Sequence, residues 1–330
     1  MKLSHFLIFL ATAGGLLLFY SSYRQDILLI SQKPIPVVAG INQDTTPLVI
    51  NEADKTINLI ATGDIMLGRS VNHKIKESKN YSLPFEKIKT FFKDQNIVLV
   101  NLESPFGVNC PITDTGMVFC ADKDSVQGLK FLGVTHANLA NNHINNQTKN
   151  GIELTNNILL QNQIQPVGLS TSSGIVLSQI KDTKIAFLGF NDIPPYPTEI
   201  NKLSKELLLK QLSSATKSAD FIIVSFHWGN EYQQRTKRQQ EFAHLAIDHG
   251  ANLVIGHHPH WVQEIETYKG VPIFYSLGNF VFDQMWSQKT REGIVAKVKI
   301  ENNKVSTFSA TPITINKAYQ PIVDKNYFSD

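Results

Sequence analysis

Seven short apolar runs, separated by stretches with helical periodicity, begin after Thr56 and constrain the fold more than any other feature of the sequence. The runs show little alternation of polar and apolar residues, which is typical of strands buried on both faces of a sheet. The intervening stretches place apolar residues three or four positions apart, as amphipathic helices do. We therefore predict an α/β fold with a largely parallel sheet covered by helices. The runs are INLIATGD, NIVLVNLE, THANLANN, KIAFLGFN, FIIVSFHW, NLVIGHH and PIFYSLGNF.

The ends of several elements can also be predicted. Gly133 and Gly250 follow helical stretches at positions where glycine commonly ends a helix. Near the C-terminus, two extended runs flank the tetrapeptide ENNK, which predicts a β-hairpin. We expect the whole domain to occupy residues 56–330.

The N-terminus differs in kind from this domain. Its apolar centre, from Phe6 to Tyr20, is shorter than the roughly 20 residues that span a bilayer comfortably. No small-residue cleavage site follows it, which favours an uncleaved signal-anchor over a cleaved signal peptide for residues 1–23. Residues 24–55 contain three prolines and many polar side chains, and we expect them to form an extracytoplasmic linker. The predicted location is therefore membrane-anchored and outside the cytoplasm, at the cell surface or in the periplasm.

Charge and cysteine content narrow the partners and the compartment. The 31 Lys and Arg residues against 28 Asp and Glu give a net charge of +3, and no basic cluster is present, so we expect no nucleic-acid partner. Cys110 and Cys120 lie close together in a segment rich in turn-forming residues. An exported protein can keep a disulfide there, and two free thiols are the alternative.

Polar side chains that can bind metal stand where six of the apolar runs end. Ligands of open α/β sheets bind at the carboxyl ends of the strands, so these side chains are expected to meet at one edge. Taken singly, each has an ordinary explanation, such as a helix cap or a turn. Their recurrence at strand after strand favours a common site. The residues are Asp64, Glu103, Asn141, Asn142, His143, His227, His257, His258, His260 and Asn279.

The mixture of donor atoms indicates the kind of metal. Carboxylate oxygens and imidazole nitrogens together favour zinc, manganese or iron, whereas calcium and magnesium prefer all-oxygen shells. A shared carboxylate would allow two cations about 3.5–4 Å apart, as in two-metal phosphoester chemistry. A further histidine beside them could protonate a leaving oxygen. We therefore predict one or two divalent ions.

The ordered string TGDIMLGR…NLESP…LANNH…SFHWGNEY…IGHHPHWVQ…YSLGNFVFD resembles the CapA family of capsule and poly-γ-glutamate synthesis proteins. The resemblance covers about residues 57–285. That family is similar to the calcineurin-like metallophosphoesterases, which implies a four-layer α/β/β/α sandwich with two sheets between helices. The apolar runs alone do not distinguish two sheets from one.

The resemblance also implies roles for individual residues. Glu103 stands where the wider superfamily has a carboxylate that bridges two metals, and His143 stands at the position of the proton donor. Within IGHHPH we favour two histidines as ligands and leave His258 as a contact to substrate or to a ligand. The implied metal ligands are Asp64, Glu103, Asn142, His227, His257 and His260. The candidate pocket residues are Arg69, Asn101, Trp228, His258 and Asn279.

Two positions depart from the family pattern. Met66 replaces the histidine that many superfamily members carry two residues after the first aspartate, which removes one nitrogen ligand. Asn146 replaces a usual aspartate, which could weaken the orientation of His143 or a helix cap. One metal could then bind tightly and a second weakly, or the site could hold only one.

Two functions are consistent with these residues. The first is a metal-dependent, phosphoesterase-like hydrolase that acts in synthesis, export or anchoring of an anionic capsular polymer. Its partners would be that polymer or a phosphorylated precursor, the membrane, and polymer synthase or transport subunits. The second is a non-catalytic, membrane-associated subunit that binds polymer and carries a structural metal. Met66 and Asn146 favour the second somewhat.

Overall fold

The computed structural model describes residues 55–171 and 173–324, which lie within a single compact unit. The predicted anchor at 1–23 and all but the last residue of the predicted linker lie outside these ranges. Among the described residues, no helix combines the length and apolar character needed to cross a membrane.

Sixteen strands and five α-helices occur in the described ranges. The strands are β1 Ile57–Ile65, β2 Ile97–Leu102, β3 Phe106–Gly107, β4 Ala121–Asp122, β5 His136–Asn138, β6 Gln165–Val167, β7 Ile175–Ile180, β8 Thr183–Asn191, β9 Phe221–His227, β10 Leu253–His257, β11 Ile265–Tyr268, β12 Val271–Phe274, β13 Asn279–Val281, β14 Glu292–Glu301, β15 Lys304–Ile315 and β16 Pro321–Val323. The helices are α1 Arg69–Ser78, α2 Val126–Leu132, α3 Thr148–Gln161, α4 Lys205–Ala215 and α5 Lys237–Asp248.

The strands form two large sheets and one short pair, β3 with β4. Sheet I has the order β16-β15-β14-β1-β2-β5-β6, with β13 also beside β1. Sheet II has the order β11-β12-β10-β9-β8-β7. In sheet I the parallel strands β1, β2, β5 and β6 form one side and the antiparallel strands β14–β16 the other. In sheet II the parallel strands β8, β9, β10 and β12 are flanked by the antiparallel edge strands β7 and β11. The α/β prediction is confirmed. The largely parallel sheet expected from the apolar runs is replaced by two mixed sheets, a number that the runs alone left open.

Three apolar clusters show how the layers pack. The first joins one face of sheet I to α1–α3, and the third joins one face of sheet II to α4 and α5. The second lies between the sheets and combines Leu59 and Leu99 of sheet I with Phe187 and Ile223 of sheet II. Because successive strand residues point to opposite faces, a run that is apolar throughout fills two clusters at once. The order of layers is therefore helices, sheet I, sheet II, helices.

One predicted strand is divided between the two sheets. PIFYSLGNF contributes β12 to sheet II and β13 to sheet I, and the chain crosses between them through Ser276, Leu277 and Gly278. Gly278 has a φ of 68°, which glycine adopts without strain. Its carbonyl oxygen would lie 2.2 Å from a Cβ placed on Gly63, so the two backbones approach closely. The prediction of one continuous strand was wrong because apolar character alone does not show which sheet a residue joins.

Other local predictions are confirmed. Gly133 follows α2 with a φ of 93°, and its N–H bonds to Leu129. Gly250 has a φ of 104° and lies two positions beyond Asp248, the last residue of α5. The ENNK tetrapeptide forms the turn between β14 and β15, whose ends pair Glu301 with Lys304.

Candidate metal centre

The predicted site residues meet where the parallel strands of both sheets end. In sheet I, Asp64 of β1 pairs in register with Asn101 of β2. In sheet II, His257 of β10 pairs with His227 of β9. Paired residues of neighbouring strands point to the same face, so each sheet presents a row of polar side chains. The two rows contact each other, with 3.3 Å between Asp64 Oδ1 and His257 Nδ1.

Asp64 lies at the centre of these contacts and is fully buried. Its Oδ2 lies 3.3 Å from His260 Nδ1 and accepts the backbone N–H of His258 at 3.2 Å. Asn101 Nδ2 donates to Asp64 Oδ1 at 2.8 Å. Burial would raise the pKa of Asp64, but the close contacts with His257 and His260 and the charges of these rings outweigh it and hold the pKa well below its usual 3.8. Asp64 is thus a carboxylate.

Glu103 is a carboxyl group of the site whose two oxygens both lack a hydrogen bond in the described part of the chain. Its side chain is fully buried, and neither carboxyl oxygen has a hydrogen-bond partner within the described residues. Its Oε1 lies 3.7 Å from His227 Nε2 and 4.0 Å from His260 Nε2. Burial raises the pKa of Glu103 to about 8. A buried carboxylate without a partner is costly, so its retention indicates that a cation belongs beside it.

The donor atoms around Glu103 fit a metal ion. Glu103, His258 and His260 each offer one ligand atom, and these atoms lie within 4.8 Å of one another. His258 Nδ1 and both ring nitrogens of His257 also lack hydrogen-bond partners in the described part of the chain. A carboxylate with two imidazoles suits zinc, manganese or iron. His258, which the sequence assigned to the pocket, is here one of the three grouped ligands.

Asn279 orients the ring of His260. Asn279 Nδ2 donates to Thr290 O at 2.9 Å and to Gln284 Oε1 at 3.2 Å, so its Oδ1 is an acceptor. That oxygen lies 2.9 Å from His260 Nδ1, which must therefore carry a proton, and Nε2 faces Glu103. Burial alone would lower the pKa of His260, but the carboxylates of Glu103 and Asp64 raise it to about 9. A neighbour that fixes the second nitrogen in this way is usual for metal-ligating histidines.

His227 and Asn142 close the other side of the centre. His227 Nε2 lies 2.8 Å from Asn142 Oδ1, and His227 Nδ1 lies 3.3 Å from Asn101 Nδ2. Asn101 Oδ1 accepts from Asn138 Nδ2 at 3.0 Å, which fixes the Asn101 amide as the donor to Asp64 and His227. Burial lowers the pKa of His227 well below 6.5, and burial lowers that of His258 to about 3. Both rings are neutral, the form in which histidine binds metals.

The side chain of His143 packs against Phe119, with ring centroids 4.0 Å apart. Asn146 Oδ1 accepts from the Phe119 N–H at 2.7 Å and lies 2.9 Å from His143 Nδ1. Nδ1 is therefore the donor, which leaves Nε2 as the second ring nitrogen. Burial lowers the pKa of His143 to about 4. Asn146 thus keeps the ring oriented but supplies no negative charge to stabilise its protonated form.

Met66 has a packing role. Its sulfur accepts the Gly68 N–H at 3.0 Å, its own N–H donates to Val281 O at 2.8 Å, and its side chain belongs to the core cluster under α1–α3. The position that carries a histidine in many superfamily members is therefore part of the core here.

Arg69 and His143 both contact the ring of Phe119. Its guanidinium carbon is 4.8 Å from the centre of the Phe119 ring, and it forms an ion pair with Asp283. Arg69 Nη1 also donates to Gly116 O at 2.9 Å, within the loop closed by the Cys110–Cys120 disulfide, which is formed in the structure. The disulfide loop is thus tied to the rim of the site.

Strained backbone accompanies these contacts. Arg69, His258 and His260 have φ values of 45°, 97° and 57°, in the left-handed region that disfavours side chains. Such backbone conformations persist only where many surrounding contacts hold them in place, and they are frequent at functional sites.

Trp228 does not belong to the pocket. It is 1% exposed, stacks on Phe226 with centroids 4.3 Å apart, and donates its indole N–H to Tyr275 O at 2.9 Å. It packs in the cluster between sheet II and helices α4 and α5. Its assignment to the pocket is corrected, because the residue after the last ligand of a strand points to the opposite face.

Three supporting residues were not predicted from the sequence. Asp283 pairs with Arg69, Asn138 fixes Asn101, and Gln284 accepts from Asn279. Asp283 is the last residue of FVFD, which ends the ordered set of motifs that resembles the CapA family, so the sequence did indicate this position. Asn138 and Gln284 carry no comparable sequence signal, because each acts through another polar residue.

Comparison with known proteins identifies the family. Residues 58–284 match the family model described as bacterial capsule synthesis protein PGA_cap. The chain is 33% identical over 296 residues to the PGA biosynthesis protein CapA of Bacillus subtilis (strain 168), covering 85% of this chain and 77% of that protein. It is 29% identical over 303 residues to the capsule biosynthesis protein CapA of Bacillus anthracis, covering 84% and 73%.

A solved structure gives an independent comparison of the fold. The crystal structure of a phosphatase from Mycoplasma pneumoniae superposes with a TM-score of 0.52 over 83% of this chain and 97% of that chain, at 15% identity. At this identity the likeness concerns the fold alone, and it agrees with the two-sheet α/β architecture. Together with the match over residues 58–284, these similarities show that the chain belongs to the bacterial capsule synthesis protein family PGA_cap.

Proposed function

We propose that the protein is a metal-dependent phosphoester hydrolase that acts in the synthesis, export or anchoring of an anionic capsular polymer of the poly-γ-glutamate type. The observation that carries the proposal is Glu103, a fully buried carboxyl group that lacks a hydrogen-bond partner in the described residues. Its Oε1 lies 3.7 Å from His227 Nε2 and 4.0 Å from His260 Nε2, at the edge shared by both sheets. Such a group is stable as a carboxylate only with a cation beside it.

Each residue of the centre has a defined task in this proposal. Glu103 and His260 would hold the first divalent ion together with Asp64 and one or both of His257 and His258. Asn142 and His227 complete the shell on the other side of Glu103 and would hold a second ion. Manganese, zinc or iron fits these donors. A bound divalent ion supplies Lewis-acid polarisation of the phosphoryl oxygens.

His143 is the proposed proton donor. Its Nδ1 is held by Asn146 and its ring by Phe119, so the orientation of Nε2 is fixed before substrate binds. Proton transfer to a leaving oxygen from a positioned side chain contributes about 10²–10⁴-fold to a rate. Arg69, held between Asp283 and Phe119, would contact the anionic substrate at the rim.

The proposed location follows from the N-terminal sequence. Residues 1–23 would anchor the chain in the membrane, and residues 24–55 would link the anchor to the domain outside the cytoplasm. The names of the relatives from Bacillus subtilis and Bacillus anthracis concern PGA and capsule biosynthesis, which supports a polymer or its phosphorylated precursor as substrate. Polymer synthase or transport subunits would then be neighbours in the membrane.

A non-catalytic, polymer-binding subunit with a structural metal is the second candidate. Two observations favour it. Met66 is committed to the core, which leaves the centre one imidazole short, and Asn146 supplies no charge to His143. In this alternative the metal would still bind, but His143 would have no task.

The two functions are separated by metal content and hydrolysis measured on the same preparations. The full-length chain in detergent is assayed with a phosphomonoester and a phosphodiester as wild type, His143→Ala, His227→Ala and His73→Ala. His73 is exposed on α1 and serves as the matched control.

We expect metal-dependent turnover in the wild type and the control. His143→Ala should keep its metal and lose about 10²–10⁴-fold in rate, whereas His227→Ala should lose metal as well. A folded wild type that binds metal but shows no turnover would support the second candidate, and one that binds no metal would contradict both.

A further inference from the structure

Three loops at the edge of the centre each contribute one aromatic ring. Tyr232 comes from the loop after β9, Trp261 from the loop after β10, and Trp286 from the loop after β13. The ring of Tyr232 lies 6.3 Å from that of Trp261 and 6.0 Å from that of Trp286, measured between centroids. The three rings therefore form one continuous surface, which we call the aromatic platform.

The platform is exposed and adjoins the metal centre. Trp286 is 64% exposed, which is unusual for the largest apolar side chain. Tyr232 lies 6.0 Å from the ring of His260, one of the grouped ligands. Lys289 Nζ lies 4.2 Å from the centre of the Trp261 ring, and it provides a cation at the outer end. A molecule bound at the metal centre would extend over these rings.

Hydrogen bonds connect the platform to the metal ligands. Gln284 Nε2 donates to Tyr232 Oη at 3.1 Å, and Gln284 Oε1 accepts from Asn279. Asn279 in turn orients His260. Tyr232 has a φ of 58°, so its backbone is also held in a conformation that a side chain rarely adopts. The platform is therefore positioned with the centre and is not a set of separate surface residues.

We propose that the aromatic platform binds a pyranose ring, so that the substrate of the proposed hydrolase is a sugar phosphate ester. The proposal rests on the function proposed above for the metal centre. The phosphoryl group would lie at the centre, and the C–H face of the sugar would pack on Trp286 and Tyr232. Flat apolar rings combined with a few polar groups are the usual lining of such sites.

The arrangement of the rings favours a sugar over other ring-containing or anionic ligands. A nucleobase is commonly held between near-parallel rings, but Tyr232 makes angles of 58° with Trp261 and 78° with Trp286. A poly-carboxylate chain would need a row of cations, and the platform has Lys289 alone over a ring. Tilted rings can each meet a different C–H face of a non-planar pyranose.

The test compares ligands with and without a ring. In a His143→Ala background, which suppresses turnover, the manganese-loaded full-length chain is titrated calorimetrically with glucose 1-phosphate and with glycerol 1-phosphate. We expect the sugar ester to bind at least about tenfold more tightly, in the range set by one stacking aromatic ring. Trp286→Ala should remove this preference and leave the affinity for glycerol 1-phosphate unchanged. Trp286→Phe should keep most of the preference.

Tyr196→Ala provides the matched control. Tyr196 is 37% exposed and also has a lysine over its ring, with Lys202 Nζ 4.3 Å from the centroid, but it lies in the loop after β8. This variant should keep the sugar preference. Equal affinities for the two esters, or a preference that survives Trp286→Ala, would overturn the proposal.

Two further titrations cover the remaining outcomes. If adenosine monophosphate or a γ-glutamyl oligomer shows the Trp286-dependent gain instead of glucose 1-phosphate, the sugar assignment is overturned. If neither phosphate ester binds, the function proposed for the metal centre fails, and methyl glucoside is then titrated while tryptophan fluorescence is recorded. Saturable binding that is lost in Trp286→Ala would support the sugar site by itself, and its absence would overturn it.

Discussion

Sheet I supplies oxygen donors to the candidate centre and sheet II supplies nitrogen donors. Asp64, Glu103 and Asn142 end or follow strands of sheet I, whereas the grouped imidazoles of His258 and His260 follow strand β10 of sheet II. The histidine of sheet I near the centre, His143, is oriented by Asn146 and lies outside the grouped ligands. Neither sheet alone offers the mixed donor set that zinc, manganese or iron favours.

The oxygen donors of sheet I and the nitrogen donors of sheet II also differ in the free-energy cost of their burial. A neutral imidazole can be buried at modest cost, and burial lowers the pKa values of His227 and His258. A carboxylate without a hydrogen-bond partner is costly to bury, and burial raises the pKa of Glu103 to about 8. The carboxylates of sheet I would therefore depend on the imidazoles of sheet II and on a metal shared between the two sheets. Metal binding should therefore be more sensitive to loss of the carboxylate than to loss of a single imidazole.

The largest effect is expected from Glu103→Gln. The amide keeps the volume but removes the charge that a metal shared between the sheets requires. Metal affinity should therefore fall by more than about 100-fold, which exceeds the loss expected when a residue that only orients a ligand is changed. Isothermal titration with manganese or zinc measures it. Glu77→Gln, on the exposed face of α1, is the control and should bind as the wild type does. Unchanged metal affinity in Glu103→Gln would mean that the histidines of sheet II hold the metal by themselves.

A smaller effect is expected from Asn279→Leu. The substitution removes the acceptor for His260 Nδ1 while leaving all direct ligands in place, so metal affinity should fall by about 10–100-fold. Metal titration gives the affinity, and thermal unfolding of the metal-free protein separates a loss of orientation from a loss of stability. A metal affinity equal to that of the wild type would show that His260 is oriented by Asp64 alone.

The smallest effect concerns a buried histidine that is not a ligand. His136 of sheet I stacks on Phe187 of sheet II at 3.8 Å, and its ring nitrogens lie 2.9 Å from the Thr135 and Ser178 hydroxyls. Burial lowers its pKa to about 3. Below about pH 6.5 the histidine therefore binds a proton in the unfolded chain but not in the folded chain. The free energy of unfolding then falls as the pH falls from 6.5 towards 3.

His136→Gln removes this contribution. The gap in unfolding free energy between wild type and variant should narrow by about 1 kcal/mol between pH 7 and pH 5.5, since one unit of pKa corresponds to about 1.4 kcal/mol. Urea denaturation at the two pH values measures it, and metal content should not change. A gap that is independent of pH would mean that His136 accepts a proton in the folded protein.

Much of this arrangement could be predicted from the sequence because it is local. The apolar runs predicted the strands, and the polar residue that ends each run predicted Asp64, Glu103 and His227 as members of one site. The division of PIFYSLGNF between two sheets could not be predicted, because β12 and β13 are assigned by pairing with β10 and β1, which are distant in sequence. The choice among His257, His258 and His260 also depends on backbone angles that the sequence does not display.

The supporting shell was the least predictable part. Asn279 was singled out because it ends a run, but its role depends on Gln284 and Thr290, which bond to it only after the β13–β14 loop folds back. Trp228 was misplaced because the alternation of a strand turns it to the helix-covered face. Residues that act through another side chain leave no pattern of their own in the sequence.

The most direct test of the shared centre is anomalous diffraction from crystals of the full-length chain grown with manganese. We expect an anomalous peak within bonding distance of a carboxylate oxygen of Asp64 or Glu103 and of an imidazole nitrogen of His258 or His260. A peak bonded to residues of one sheet only, or no peak between the two sheets at this edge, would contradict it.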